Sequence, residues 1–105
     1  MRAYITLLGL LAMLSIVIQP AMAVNFSIYV FDSNSNMTVQ NAFVRVWQDN
    51  NLLDNGNTDE NGLFVTYLYD GKRYHIKAKY SNKWNETDYL AESAKSDKIY
   101  LYLHT

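Results

Sequence analysis

Two short segments constrain this chain most. They are Thr58-Asp59-Glu60-Asn61-Gly62-Leu63-Phe64 and Asp70-Gly71-Lys72-Arg73-Tyr74. Each is a polar turn that runs straight into an apolar–polar alternation. Asp and Asn side chains cap backbone amides in such turns, and glycine supplies a positive φ without steric cost. Gly62, or Asn61, is expected at the left-handed position. Asp59, Gly62 and Gly71 are the residues that fix these turns. Punctuation of this kind specifies short strands joined by tight connections.

The flanking sequence repeats the theme. Phe26 to Phe31 puts Phe26, Ile28 and Val30 on one face. Asp32-Ser33-Asn34-Ser35-Asn36 is a polar turn. Ala42 to Trp47 puts Ala42, Val44 and Val46 on one face and Phe43, Arg45 and Trp47 on the other. Leu52-Leu53 begins a short strand before the Asn/Gly-rich stretch Asp54 to Gly62. Leu63 to Tyr69 reads as a strand. In Arg73 to Tyr80 the residues Tyr74, Ile76, Ala78 and Tyr80 oppose Arg73, His75, Lys77 and Lys79. A period of two means one buried and one wet face. Asn82 to Asp97 is the least regular part, with Leu90 to Lys95 reading as a short helical turn. Lys98 to Leu103 closes the chain, with Ile99, Leu101 and Leu103 opposite Tyr100 and Tyr102. The expected fold is all-β: one Greek-key sandwich of about seven strands, Ig-like or transthyretin-like.

The N-terminus is of another kind. Ile5 to Ile18 carries no charge, follows Arg2, and precedes Ala21-Met22-Ala23. The run falls short of the ~20 residues that a membrane span needs, and Ala-x-Ala suits a signal peptidase. Residues 1–23 are read as a cleaved signal peptide and 24–105 as the domain, with no stable span after cleavage. The expected location is secreted, extracellular or cell-surface, or periplasmic in a Gram-negative bacterium. The domain has no cysteine, so disulfides, thiol catalysis and cysteine metal sites are excluded. A cysteine-free domain this small must draw stability from aromatic packing or from homo-oligomerisation. The formal net charge of −1 argues against nucleic acid, which demands a basic surface.

In order and spacing the turns and strands resemble the carboxypeptidase regulatory-like (peptidase-associated) domain, a transthyretin-like sandwich. The resemblance rests on Val30-Phe31-Asp32, Asn41-Ala42-Phe43-Val44-Arg45-Val46, Thr58-Asp59-Glu60-Asn61-Gly62-Leu63-Phe64 and Gly71-Lys72-Arg73-Tyr74. It spans about Phe26 to Tyr80. Met37-Thr38-Val39-Gln40 stands where that family often carries Gly and Pro, and Asn82 to Asp97 has no counterpart. The resemblance implies a non-catalytic module that accompanies enzymes or works at a surface.

Few residues suggest chemistry. Asp32, Asn34 and Asn36 have partial calcium-loop spacing, as do Asn57, Asp59, Asn61 and Gly62. Met37 and Phe43, or Leu68, stand where such loops need Gly and Glu, so hairpin capping is the expected role. His75 and His104 are the two histidines, with no third ligand at short spacing, and no metal site or cofactor is expected. Asp59, Glu60, Asp70, Glu86 and Asp88 are read as solvated turn carboxylates, with no catalytic residue among them. Phe43, Trp47, Tyr67, Tyr69, Tyr100 and Tyr102 fall opposite the aliphatic faces and are the candidate binding residues, as an exposed aromatic surface. Cross-strand pairing for stability is their competing role. Asn25, Asn36 and Asn85 head N-x-[ST] sequons, the acceptor pattern for glycosylation.

The expectation from sequence is therefore a secreted, non-enzymatic module that binds protein or carbohydrate at or near the cell surface. A self-assembling subunit that uses its first strand for strand addition is one alternative. An accessory or inhibitor of a secreted hydrolase is the other.

Overall fold

The computed structural model describes residues 22–105. The signal-peptide reading of residues 1–23 lies almost wholly outside the described residues.

Seven strands follow in chain order: β1 Ala23–Asp32, β2 Phe43–Gln48, β3 Asn51–Asn57, β4 Leu63–Tyr69, β5 Arg73–Tyr80, β6 Lys83–Leu90 and β7 Lys98–Leu103. They form a three-stranded sheet, β4-β1-β7, and a four-stranded sheet, β3-β2-β5-β6. Each polar turn between β1 and β2, β3 and β4, and β4 and β5 carries the chain from one sheet to the other. β1 and β7 run parallel, and the other neighbours are antiparallel. The all-β Greek-key sandwich expected from sequence is what the chain forms.

The alternation dictates the core. Phe26, Ile28 and Val30 of β1 face inward with Leu68, Leu101 and Leu103, against Val44, Val46, Tyr74, Ile76 and Ala78 of the other sheet. Each fully buried aliphatic or aromatic side chain stabilises the fold by about 1.5–3 kcal/mol relative to exposure. The phenol of Tyr74 accepts a bond of 2.8 Å from the Tyr69 N–H, so its polar tip is satisfied at the core's edge.

Both open edges of the sandwich are stitched. On one, the Trp84 and His104 backbones exchange bonds of 3.0 and 3.2 Å, and Lys83 Nζ pairs with Asp32 Oδ2 at 2.6 Å. On the other, Thr66 Oγ1 donates to Asp54 Oδ2 at 2.8 Å. There Phe64 lies so close over Gly56 that an added Cβ would meet its ring at 2.6 Å. The Thr58 hydroxyl accepts the Ala42 N–H at 2.9 Å and donates to the Val39 carbonyl at 2.6 Å. That explains a buried threonine at the head of the turn. Gly62 sits at φ +74°, with Thr38 and the Val30 carbonyl crowding any Cβ. Gly71 sits at φ +81° in the next turn.

Three local expectations are corrected. β3 runs through Asp54–Asn57, which the sequence presents as turn. An edge strand has only one partner to satisfy, so it tolerates Asn and Gly poorly suited to a sheet interior. Asn82 to Asp97 contains β6, not irregular chain. Residues Leu90 to Lys95 form no helix, and the connection closes on a Glu92–Ser96 bridge. β1 is the centre of its sheet, paired on both sides, so it presents no free edge for strand addition.

Candidate functional site

The outer face of the four-stranded sheet is built in rungs. Register places Arg45 opposite Lys77 and Lys77 opposite Glu86. The next rung carries Trp47, His75 and Asp88. Side chains directly opposite on one face sit about 4.5–5.5 Å apart at Cβ, so these groups meet without any loop to carry them. Beyond the last rung, β2 turns into β3 through Asp49 and Asn50, both at positive φ (50° and 67°). That is the backbone of a two-residue type I′ hairpin. Leu53 is then an extra residue in β3, because the register shifts between Val46 and Trp47. The turn forms one rim of a concave site of about 710 Å³.

His75 lines it. Nδ1 is 2.9 Å from Asp88 Oδ1 and Nε2 is 2.9 Å from Glu86 Oε2. Both nitrogens face carboxylates, an arrangement that favours the protonated ring, which can donate from each side. The Asp88 bond, then the Glu86 bond, raises the His75 pKa, against a smaller opposing effect of burial. Trp47 packs against the imidazole with ring centres 5.6 Å apart. The two carboxylates approach opposite edges of the ring and converge on no common point. Among the described residues no group of three His, Asp or Glu side chains is placed to hold a metal ion.

The cations of this face are differently placed. The Arg45 guanidinium lies 5.4 Å from the Phe43 ring centre and 5.2 Å from that of Trp47. Its Nε is enclosed and has no hydrogen-bond partner. Lys77 Nζ lies 5.0 Å over the Trp84 ring. Among the described residues, ion pairs form at His75, Lys83 and Lys95. Arg45, Arg73 and Lys77 line the concave site without one.

The candidate aromatic residues do not share one surface. Phe43 and Trp47 belong to this face. Tyr67, Tyr69, Tyr100 and Tyr102 are exposed on the outer face of the other sheet, on β4 and β7. There Tyr29 stacks on Tyr100 at 5.6 Å and Phe31 on Tyr102 at 5.0 Å. Glu86 and Asp88 are corrected from turn residues to strand residues whose alternation aims both at His75. The signal was present as Glu86-x-Asp88 opposite His75. It was unreadable without β6, since one carboxylate alternation in a polar stretch also fits solvated chain.

The remaining candidates serve turns. Asp32 caps the Asn34 N–H at 2.8 Å and holds Lys83, and that ammonium's hydrogen bond, with the Asn34 N–H, lowers its pKa. Asp59 Oδ1 accepts the Asn61 and Leu63 N–H groups. Asp70 takes both the N–H and the hydroxyl of Ser93, which lowers its pKa. Glu60 lies in the turn at the head of β4. His104 pairs with Trp84 at the sandwich edge. Asn25 and Asn36 are exposed, while Asn85 donates its side-chain amide to the Tyr102 carbonyl.

The solved structure of Klebsiella pneumoniae 5-hydroxyisourate hydrolase is similar to this chain. The TM-score is 0.52 at 12% identity, over 78% of this chain and 85% of that one. This likeness shows the fold, a transthyretin-like sandwich. It does not single out the narrower carboxypeptidase regulatory-like group. No family model and no curated protein matches the sequence. The expectation of a non-enzymatic surface module, with its two alternatives, is overturned. It rested on taking this sandwich for a non-catalytic type, and a chain of the same fold is a hydrolase.

Proposed function

We propose that this chain is a small-molecule hydrolase whose site is the concave outer face of the four-stranded sheet. The observation that carries the reading is His75, clamped at 2.9 Å on each nitrogen by Asp88 and Glu86. Paired acid and base on one scaffold are what carbonyl hydrolysis requires. Asp88 holds Nδ1–H and orients the ring. Glu86 is 42% exposed at its side chain, so an incoming substrate can displace it from Nε2. Glu86 then takes a proton from water as the water oxygen bonds to the carbonyl carbon. His75 Nε2–H protonates the leaving group as its bond to that carbon breaks. Return of the proton from Glu86 to His75 restores the site.

The hydrolase of like fold acts, by its name, on 5-hydroxyisourate, which makes that compound the first substrate to try. Within the fold, the Thr58–Phe64 and Gly71–Tyr74 segments support a place among carboxypeptidase regulatory-like domains. Residues 1–23 support export. The test is hydrolysis of 5-hydroxyisourate and of activated esters and anilides by the purified protein. A His75→Gln variant that still folds should lose activity by about 10²–10⁴-fold. Absence of turnover across the panel, or turnover unchanged in His75→Gln, overturns the reading.

A further inference from the structure

We infer that the concave face selects a planar organic monoanion, a flat unsaturated body bearing one carboxylate. This rests on the reading of that face as the functional site, and it adds the ligand's charge and shape.

The charge follows from the inventory of the face. Arg45, Arg73 and Lys77 stand against Asp49, Glu86 and Asp88, and His75 adds a fourth positive charge when its ring is protonated. Glu86 and Asp88 are already taken by His75. The three permanent cations have no carboxylate of their own. One bound carboxylate brings the face to neutrality, and a second negative charge would overshoot it.

The identity of the anchor follows from Arg45. Its guanidinium is immobilised against Phe43 and Trp47, so little rotamer entropy is left to lose on binding. Its Nε is enclosed with no acceptor, which leaves the terminal Nη groups as the donors that a ligand can meet. A planar, fixed guanidinium fork matches a carboxylate in two parallel bonds, which an ammonium cannot do. Arg73 stands on β5 two residues before His75. It therefore lies one side-chain step away on the same face.

The shape follows from the floor. Trp47 and His75 form a ring pair tilted by 46° on a β-sheet, which is shallow and broad. A flat ligand can lie against one of these rings with most of a face, whereas a puckered one touches it at a few atoms. Placed with its carboxylate toward Arg45, a planar ligand lays its body over Trp47 and brings a substituent to His75 Nε2.

Three probes of similar size separate these terms. Benzoate is planar and anionic, benzamide planar and neutral, and cyclohexanecarboxylate anionic and puckered. Each is titrated into the ¹⁵N-labelled protein at low salt. Benzoate is expected to shift amides of residues 45–50, 73–77 and 86–88, with benzamide at least 10-fold weaker and cyclohexanecarboxylate several-fold weaker. Arg45→Lys should weaken benzoate by about 10-fold despite keeping its charge. Arg73→Gln, at an exposed position, gives a second variant if Arg45→Lys does not fold. Equal binding of benzoate and benzamide, or shifts confined to the Tyr100 face, overturns the inference. Benzoate binding without any hydrolysis retires the hydrolase alone. His75-dependent hydrolysis of neutral substrates without benzoate binding retires the monoanion inference alone.

Discussion

The two outer faces of this sandwich are made by the same alternation and have opposite characters. On β4-β1-β7, the rings of Tyr29, Phe31, Tyr100 and Tyr102 stack on each other across strands. On β3-β2-β5-β6, cations and aromatics alternate along β2, and His75 bridges to carboxylates of β6. The rings of Tyr29, Phe31, Tyr100 and Tyr102 satisfy one another, because each has an aromatic neighbour. The second face is not satisfied in this way, because Arg45 and Lys77 lie over rings and form no ion pair among the described residues. Exposed aromatics alone are therefore a poor guide to a site in a small cysteine-free domain. Their first use here is to replace the staple that disulfides would give.

The largest expected effect is on the charged face. His75→Gln lowers hydrolysis by about 10²–10⁴-fold while the melting curve stays close to that of the parent protein. Loss of folding together with activity would return His75 to a structural role.

Next comes a substitution on the aromatic face. Phe31 packs against both Tyr100 and Tyr102. Phe31→Ala is expected to cost about 1–3 kcal/mol, since each ring pair is worth roughly 0.5–1.5 kcal/mol beyond burial. Chemical denaturation measures this, and hydrolysis by the folded fraction should not change. A loss of activity at full folding would mean that the two faces are not independent.

A smaller effect is tied to pH. His75 has a raised folded pKa, so its contribution to stability is fully present below its ordinary value of about 6.5. That contribution is lost as pH rises through the folded value. The groups that set it are Asp88 and Glu86 of β6, while Arg73 and Lys77 of β5, Arg45 of β2 and Asp49 in the turn beyond line the same concavity. Asp88→Asn should destabilise the protein at pH 6 and leave it nearly unchanged at high pH. A gap between the two denaturation midpoints that widens with rising pH would contradict the clamp.

The smallest effect belongs to Tyr67, 67% exposed and outside the stacked pairs. Tyr67→Ser should fall within about 0.5 kcal/mol of the parent. A cost above 1 kcal/mol would mean that the aromatic face is more continuous than its ring pairs indicate.

The fold was legible because period-two alternation and turn chemistry are local. Phe26-x-Ile28-x-Val30 and Tyr74-x-Ile76-x-Ala78 name the core by themselves, and Gly62 announces its positive φ. Edge strands were harder to read. β3 carries Asn-Gly-Asn, and β6 alternates Lys83, Asn85, Thr87 with Trp84, Glu86, Asp88. Neither displays an aliphatic stripe, since each buries little. The site was illegible for the same reason. Its three titratable groups His75, Glu86 and Asp88 come from two strands, one of which was missed, and only register brings Asp88 and Glu86 to His75. The opposing characters of the two faces likewise depend on which strands share a sheet, which is long-range information.

The most direct measurement is a ¹⁵N NMR titration of the His75 ring nitrogens with pH, in the parent protein and in Asp88→Asn. The carboxylate clamp predicts a midpoint above that of free histidine in the parent, with both nitrogens carrying protons below it. It predicts that the midpoint moves down in Asp88→Asn. A midpoint at or below that of free histidine, unmoved by the substitution, would contradict the carboxylate clamp on which the site depends.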